Sequence, residues 1–148
     1  MTSIDSLAGR HAYLDTNVFI YTLNAFPTLA PILTRLFTII DIGQLQAITS
    51  ELTLAELLVK PMRDGDIHAQ QTCQSILLNN PRLTLMPIAR HTLIESARLR
   101  AGSTLKLPDA LHLATAILSG CDIFLTNDTH FRLPTSPINI LLLSDLVP

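Results

Sequence analysis

Apolar residues along the chain follow two alternating patterns, short continuous runs and longer stretches with helical spacing. The short runs predict β-strands at 11–15, 45–50, 83–88, 122–126 and 138–143. The spaced apolar residues predict helices at 17–24, 28–41, 51–60, 66–78, 89–101 and 107–119. Because strands alternate with helices and are almost continuously apolar, we expect an α/β fold with helices on both faces of the sheet. This is a three-layer α/β/α sandwich with a mainly parallel central sheet.

Prolines and one glycine refine the ends of two predicted helices. The residue before a proline avoids the helical region, so the helix over 51–60 is expected to stop before Pro61. Pro108 suits the first turn of a helix, and Gly120 suits the position just past its end. Both residues support the helix over 107–119.

The length and composition fit one domain with an apolar contact surface. The 148 residues contain no repeat or linker, so we expect a single domain over 1–148. Hydrophobic residues make up 48% of the chain and charged residues 15%, which favours a surface that meets a partner or a second copy. The net charge of −2 argues against a general basic nucleic-acid binder, so any nucleic acid must be held by local basic groups.

Cysteine usage and the first residues indicate a cytoplasmic protein. Cys73 and Cys121 lie far apart without metal-binding spacing, which is typical of reduced thiols. The first ten residues, MTSIDSLAGR, lack the basic-then-apolar pattern of a signal peptide. No run approaches the roughly 18 apolar residues that a membrane span requires. We therefore expect a cytoplasmic location and no membrane segment.

Four of the twelve acidic residues fall at equivalent places in the predicted fold. Asp15 ends the first strand, and Glu56 lies on the helix that follows the second strand. Asp109 lies in the first turn of its helix, and Asp128 comes just after the strand that ends at Thr126. Ligands of parallel α/β folds bind at the carboxyl ends of the strands. We therefore expect these four carboxylates to lie near one another.

Each of the four acids taken alone also has a structural explanation. Asp15 suits the N-cap of the helix that follows it, and Thr53 with Glu56 has the spacing of a capping box. Asp109 sits where a helix dipole favours an anion, and Asp128 belongs to an Asn-Asp turn pair. The functional interpretation therefore rests on the four acids together.

Together the four carboxylates indicate a metal site. Ionised carboxylates crowded at one edge repel one another, and a hard divalent cation such as Mg²⁺ or Mn²⁺ relieves that repulsion. Such a site suits phosphodiester hydrolysis, because the metal activates water and neutralises the leaving oxygen. The chain lacks the motifs of phosphate-binding loops, dinucleotide-binding folds, serine hydrolases and zinc proteases.

Three segments carry further motifs, namely YLDTNVFIY (13–21), TSELTLAELLVKP (49–61) and LPDALHLATAILSGCDIFLTNDTHF (107–131). In this order they resemble the PIN-domain family, most closely the VapC-type toxin ribonucleases of toxin–antitoxin systems. The resemblance implies a metal-dependent endoribonuclease that hydrolyses RNA phosphodiester bonds with Mg²⁺ or Mn²⁺ as cofactor. It also implies that the catalytic and metal-binding residues are Asp15, Glu56, Asp109 and Asp128.

The resemblance assigns supporting residues around those acids. Asn17 matches the polar residue that orients the first Asp, Thr126 matches the Ser/Thr beside the last acid, and Asn127 has an accessory role. His130 stands where some family members carry a further acid, which leaves a second metal site open. His112 shares a helix face with the third acid. We interpret it as packing or hydrogen-bonding near the site rather than as a metal ligand.

The resemblance further implies an RNA substrate, a cognate antitoxin protein and a homodimer. An antitoxin of this kind lies across an apolar groove near the active site, which the helices 17–24 and 28–41 are suited to form. Some basic side chains must hold the RNA because the site itself is acidic. The candidates for such phosphate contacts are Lys60, Arg63, Lys106 and Arg132.

Other functions stay open at this stage. A PIN nuclease that processes RNA or acts on DNA would carry the same acids, and a neighbouring antitoxin gene would distinguish it from a toxin. A catalytically silent PIN binding module is disfavoured by the intact set of four acids. A signalling domain would need a phospho-accepting Asp beside a Lys, and the sequence offers no such pairing.

Overall fold

The computed structural model describes residues 1–133 and 135–148. The strands in this part of the chain are β1 (Thr2–Ser3), β2 (His11–Leu14), β3 (Gln46–Ser50), β4 (Leu83–Met86), β5 (Ile123–Thr126), β6 (Asn139–Leu142) and β7 (Leu146–Val147). The α-helices are α1 (Thr16–Leu23), α2 (Ala30–Asp41), α3 (Glu51–Arg63), α4 (Ile67–Leu78), α5 (Arg90–Ala101) and α6 (Leu107–Leu118). Short 3-10 helices span Ile4–Leu7, Thr129–Phe131 and Leu143–Asp145.

Five strands form one parallel sheet in the order β4-β3-β2-β5-β6. β2 lies at its centre, where Tyr13 pairs with Ile48 of β3 on one side and with Phe124 of β5 on the other. The predicted α/β fold with a parallel central sheet is confirmed, and so are the five predicted strands. β1 and β7 form a separate parallel pair. The apolar pattern did not predict that pair because two residues are too few to show a period.

Alternate residues of the central strands face two hydrophobic clusters, one on each side of the sheet. Leu14 and Leu125 belong to a cluster that includes Leu36 of α2. Tyr13 and Phe124 belong to the other cluster, which includes residues of α6. Helices therefore cover both faces, and the sheet is the middle one of three layers, as the sequence predicted.

The end of α3 differs from the prediction. The helix continues through Pro61 to Arg63, so the prediction that it stops before Pro61 was wrong. A proline inside a helix cannot donate a hydrogen bond to the carbonyl four residues earlier, which here belongs to Leu57. The thiol of Cys73 on α4 contacts that carbonyl instead, with an S···O distance of 3.8 Å. Pro61 is buried and lies in the last turn, so the helix loses little by including it.

The start of α3 also corrects one interpretation. Ser50 is the N-cap, and its hydroxyl oxygen accepts a hydrogen bond from the backbone N–H of Leu52. Thr53 lies inside the helix and is buried, so the capping box predicted for Thr53 and Glu56 was wrong. The other predicted helices are present with small shifts at their ends. None of the helices in the described residues combines the length and the apolar character that crossing a membrane requires.

Candidate carboxylate site

The carboxyl ends of the three central strands bring the predicted acids to one edge of the sheet. Leu14 is in register with Leu125 of β5, so Asp15 follows β2 beside Thr126. The backbone N–H of Asp15 donates to the carbonyl of Leu125 at 3.0 Å, which extends the pairing by one residue. Glu56 enters from α3, which begins directly after β3. The sheet register therefore places the first acid at the centre of this edge.

Asp15 is buried, with 6% of its surface exposed, and both of its carboxylate oxygens accept hydrogen bonds. Oδ1 accepts from the backbone N–H of Thr16 at 2.9 Å, so Asp15 is the N-cap of α1. Oδ2 accepts from the hydroxyl of Thr126 at 2.7 Å. Burial raises the pKa of Asp15, and these hydrogen bonds oppose that rise only in part. The structural and the functional interpretation of this acid are therefore compatible.

Thr126 connects the first and the last predicted acids. Its oxygen accepts from the backbone N–H of Asp128 at 3.0 Å and from Asn17 Nδ2 at 3.2 Å, while its hydroxyl donates to Asp15. Asn17 Oδ1 in turn accepts from the backbone N–H of Asn127 at 3.2 Å. Asn17 therefore contacts Asp15 through Thr126 rather than directly. The Ser/Thr expected beside the last acid contacts both acids.

The segment after β5 is held by the side chains of Asn127 and Asp128. Asn127 Oδ1 accepts from the backbone N–H of Ser144 at 3.0 Å, which fastens this segment to the short 3-10 helix Leu143–Asp145 after β6. Asp128 caps the short helix Thr129–Phe131, and its Oδ1 lies 2.9 Å from the backbone nitrogen and 2.7 Å from Nδ1 of His130. His130 is exposed, and it stands where some family members have a further acid.

Glu56 is held by two side chains that reach the same oxygen. Glu56 Oε1 accepts from the hydroxyl of Thr16 at 2.8 Å, and it lies 2.5 Å from His112 Nε2. Burial alone would raise the pKa of Glu56, but the hydrogen bonds from His112 and Thr16 outweigh it and lower the pKa. His112 Nε2 also lies 3.8 Å from Asp15 Oδ1. His112 therefore hydrogen-bonds beside the acids, as we interpreted it from the sequence.

Next to Glu56, three threonine hydroxyl groups lie in a row, and the sequence did not predict this arrangement. Thr49 donates to the carbonyl of Leu14 at 2.8 Å, so the 2.7 Å contact between Thr49 and Thr53 requires Thr53 to donate. Thr16 lies 3.4 Å from Thr53 and donates its own hydrogen to Glu56. The only sequence signal for this row is a set of polar residues at the end of an apolar strand and in the turn beyond it.

Asp109 is half-buried in the first turn of α6. Burial raises its pKa most, and the negative charges of Asp128 and Glu56 raise it further. These charge effects show that the third predicted acid lies within electrostatic reach of the second and fourth. The four carboxylates therefore form one electrostatically coupled group, in which Asp15 and Glu56 also interact.

The donor atoms of this group suit a hard divalent cation. Carboxylate oxygens are the ligands that Mg²⁺ and Mn²⁺ prefer, and a cation would relieve the mutual repulsion that raises the pKa of Asp109. Over residues 1–133 and 135–148, no three His, Cys, Asp or Glu side chains already stand in a metal-holding arrangement. The chemistry of the group fits the metal, and the half-exposed acids have room to turn towards one.

The predicted basic residues are exposed, and two of them pair with acids. Lys60 Nζ lies 2.8 Å from Asp64, and Arg132 lies 3.7 Å from Asp145. Lys60 and Arg63 follow Glu56 by one and two turns, so they share its face of α3. Lys106 precedes α6 directly and is the N-cap residue of that helix.

A groove lies between α1 and α2, where the sequence predicted one. Its cavity volume is about 360 Å³, and its lining includes Ala25, Leu33 and Phe37. The exposed residues Ile20 and Phe26 add apolar surface on and just after α1. The two apolar helices therefore leave an open surface along α1, the helix that Asp15 caps.

The fold and the acids define an α/β protein with a carboxylate site at the carboxyl edge of a parallel sheet. The chain belongs to the PIN domain family, whose sequence pattern matches residues 12–134. That match includes all four predicted acids. A search of curated proteins finds no match.

Solved structures with the same fold match between 76% and 89% of the chain. A chain of VapBC2 from Rickettsia felis, crystallised with a DNA fragment from its promoter, has a TM-score of 0.69 and 20% identity over 89% of this chain and 98% of that one. A toxin–antitoxin complex from Klebsiella pneumoniae has a TM-score of 0.60 and 26% identity over 87% and 99%. The sarcin-ricin loop cleaving toxin VapC20 from Mycobacterium tuberculosis has a TM-score of 0.62 and 14% identity over 76% and 86%.

Proposed function

We propose that this chain is a Mg²⁺- or Mn²⁺-dependent endoribonuclease and the toxin of a toxin–antitoxin pair. The observation that carries the proposal is the group of four carboxylates at the carboxyl edge of the sheet. Thr126 hydrogen-bonds both the carboxylate of Asp15 and the backbone of Asp128 there, and Thr16 and His112 hold Glu56 beside Asp15. The fourth carboxylate, Asp109, lies within electrostatic reach of Asp128 and Glu56. Membership of the PIN domain family supports the nuclease class. The similar solved structures include a sarcin-ricin loop cleaving toxin and several toxin–antitoxin complexes, which supports the substrate and the partner.

The residues divide the work by their positions. Asp15, Glu56, Asp109 and Asp128 hold the metal, which when bound lowers the pKa of a water molecule and neutralises charge on the leaving oxygen. Thr126 and Thr16 fix two of these carboxylates through charge-assisted hydrogen bonds of 2.7 and 2.8 Å. Asn17 and Asn127 hold the loop after β5 against α1.

RNA binding falls to basic side chains around this acidic edge, because carboxylates repel a phosphate backbone. Lys60 and Arg63 extend from the Glu56 face of α3, and Lys106 precedes the turn that carries Asp109. Arg132 follows the short helix that Asp128 caps. These four residues contact phosphates and give affinity without reading sequence. The ion pair between Lys60 and Asp64 is exposed and opens easily.

The groove between α1 and α2 receives the antitoxin, and a second copy of the chain covers a further part of the apolar surface. The groove is apolar and open, and 48% of the residues of the whole chain are hydrophobic. An exposed apolar surface of this kind indicates a protein partner. The likeness in fold to chains of two toxin–antitoxin complexes, with TM-scores of 0.69 and 0.60, supports an antitoxin as the partner.

RNA cleavage by the purified chain tests the proposal. Total tRNA, ribosomal RNA and messenger RNA are incubated with Mg²⁺ or Mn²⁺, and with EDTA. We expect cleavage with either metal and none with EDTA. We expect Asp15→Asn and Asp109→Asn each to reduce the rate by about a hundredfold or more, the usual effect of losing one charge-stabilising group. Asp122→Asn is the matched control, because Asp122 lies just before β5 at the opposite edge of the sheet.

The outcomes separate the proposal from its alternatives. Intact RNA under all metal conditions, with the protein folded, would remove the nuclease assignment and leave a binding module. Cleavage of DNA but not RNA would place the chain among DNA-directed nucleases. Growth arrest on expression, relieved by the product of a neighbouring gene, distinguishes a toxin from an RNA-processing enzyme.

A further inference from the structure

The buried side of Glu56 carries a hydrogen-bonded series that the proposed chemistry does not use. The hydroxyl of Tyr13 lies 2.6 Å from His112 Nδ1, and His112 Nε2 lies 2.5 Å from Glu56 Oε1. Tyr13 is 0% exposed and His112 is 1% exposed, so the contact between these two side chains is closed to bulk water. The series links the central strand β2 to helix α6 and then to the acid on α3.

The direction of these hydrogen bonds follows from counting donors and acceptors. An ionised carboxylate only accepts, so His112 Nε2 carries a hydrogen and donates it to Glu56. In the neutral ring Nδ1 is then an acceptor, and the hydroxyl of Tyr13 donates to it. A tyrosine hydroxyl carries its own hydrogen, so it can donate across the 2.6 Å that separate it from Nδ1.

The position of the tyrosine ring is set by the core. Tyr13 stacks on Phe124 of the next strand, with ring centroids 5.2 Å apart and planes 7° from parallel. Its ring meets His112 edge-on at 5.8 Å. Because the rings of Tyr13 and Phe124 are close-packed in the same cluster, the hydroxyl cannot move away from His112 without disturbing the sheet face.

We propose that Tyr13 is a positioning residue that fixes His112 in the Nε2–H tautomer, so that His112 and Thr16 together hold Oε1 of Glu56 and present its Oε2 to the site. Partners that lie behind a metal ligand commonly fix its orientation and tune its affinity. The inference rests on the proposed function, because it takes Glu56 to be a metal-binding acid. It assigns a role to Tyr13, whose hydroxyl contacts none of the four acids directly.

The variant Tyr13→Phe tests this, because it removes one oxygen and keeps the ring stacked on Phe124. The first measurement is the ¹⁵N NMR spectrum of the His112 ring in the metal-free protein, recorded at a pH at which the ring is neutral. We expect the Nε2–H tautomer alone in the wild type and a mixture in the variant. The second measurement is Mn²⁺ titration calorimetry without RNA, in which we expect the dissociation constant to rise about tenfold.

Two further variants separate positioning from a general loss of packing. Thr115→Val also removes one buried hydroxyl group, but this group lies on α6 and donates to the carbonyl of Leu111, away from the acids. We expect it to leave Mn²⁺ affinity and the His112 spectrum unchanged. His112→Gln keeps an N–H donor near Glu56 but has no ring tautomer to fix. In that background, adding Tyr13→Phe should change Mn²⁺ affinity by less than twofold, because the pair is no longer coupled.

The proposal is overturned if the wild-type ring carries its hydrogen on Nδ1, or if Tyr13→Phe leaves both the tautomer and the Mn²⁺ affinity as they were. An equal loss of affinity in the His112→Gln background would likewise assign Tyr13 a packing role only. These readouts need no RNA, so a wild-type chain that binds Mn²⁺ but cuts no RNA would remove the nuclease assignment and leave the positioning role standing.

Discussion

Single residues of this site serve the fold and the candidate chemistry together. Asp15 caps α1 with one oxygen and accepts the hydroxyl of Thr126 with the other. Both bonds hold the carboxylate in one orientation. Burial of the same carboxylate raises its pKa. The sequence predicted Asp15 twice, as a cap and as a metal ligand, and the geometry makes the two roles compatible. The residues it did not predict, Thr16 and Tyr13, act through contacts between distant parts of the chain.

The thiol of Cys121 allows a test at this scale that is independent of metal. Burial, and to a smaller extent the neighbouring charge of Asp122, raise its pKa to about 11. At pH 8 the thiolate fraction of such a group is roughly a hundredfold below that of a free cysteine with pKa about 8.5. We therefore expect iodoacetamide to alkylate Cys121 roughly a hundredfold more slowly than glutathione, measured by peptide mass spectrometry.

The variant Asp122→Asn is the control for the charge contribution to Cys121. It should accelerate alkylation modestly, because burial rather than charge is the larger cause of the raised pKa. Alkylation of Cys121 in the folded wild-type chain at the rate of a free thiol would contradict the prediction.

At the level of elements, the apolar pattern predicted each main strand and helix because each buries a continuous face. It failed where a neighbouring element supplied what the local sequence lacks. Pro61 was expected to stop α3, but the thiol of Cys73 on α4 contacts the Leu57 carbonyl that Pro61 cannot reach. The predicted capping box at Thr53 also failed. Ser50 caps α3, and the hydroxyl of Thr53 instead contacts Thr49 at the end of β3, a contact that forms only in the folded chain.

The replacement of the missing Pro61 hydrogen bond by the Cys73 thiol can be measured as a coupling energy between variants at the two positions. Cys73→Ala removes the only side-chain donor to the Leu57 carbonyl in the described residues and should lower the free energy of unfolding by about 1 kcal/mol. Pro61→Ala restores a backbone N–H at this position. In that background Cys73→Ala should cost less, by roughly 0.5 kcal/mol. Urea denaturation of the four proteins gives the coupling energy, and strictly additive effects would show that the thiol has no such role.

For the whole molecule, a parallel sheet covered on both faces gives a rigid edge on which four acids can be assembled. Sequence position alone predicted this edge, because carboxyl ends of parallel strands coincide in space. It did not predict which acid would be the most buried, since that depends on how α1 and α3 pack over β2. The side chain of Asp15 is 8% exposed, whereas the side chain of Glu56 is 36% exposed. Burial raises the pKa of Asp15 and of Asp109, so the ionised forms of these two acids are unfavourable for folding in the absence of a cation.

The unfavourable ionisation of Asp109 predicts that the fold becomes more stable when the charge of this residue is removed. Burial and the charges of Asp128 and Glu56 raise the pKa of Asp109 in the folded state. A raised carboxyl pKa means that the ionised group destabilises the fold at neutral pH. At pH 7.5 without metal, Asp109→Asn should raise the melting temperature by about 2 °C, which corresponds to roughly 0.5–1 kcal/mol in a domain of this size. The expected gain is small because Asp109 is only half-buried.

Saturating Mn²⁺ should reverse the order of the two melting temperatures, because the wild type gains binding free energy that the variant has largely lost. Asp5→Asn, at an exposed carboxylate that pairs with Arg35, serves as the control and should not raise the melting temperature. Scanning calorimetry of the three proteins with and without Mn²⁺ makes the comparison. If Asp109→Asn melts below the wild type without metal, the four acids do not repel one another enough to strain the fold, and the case for a cation among them loses its electrostatic basis.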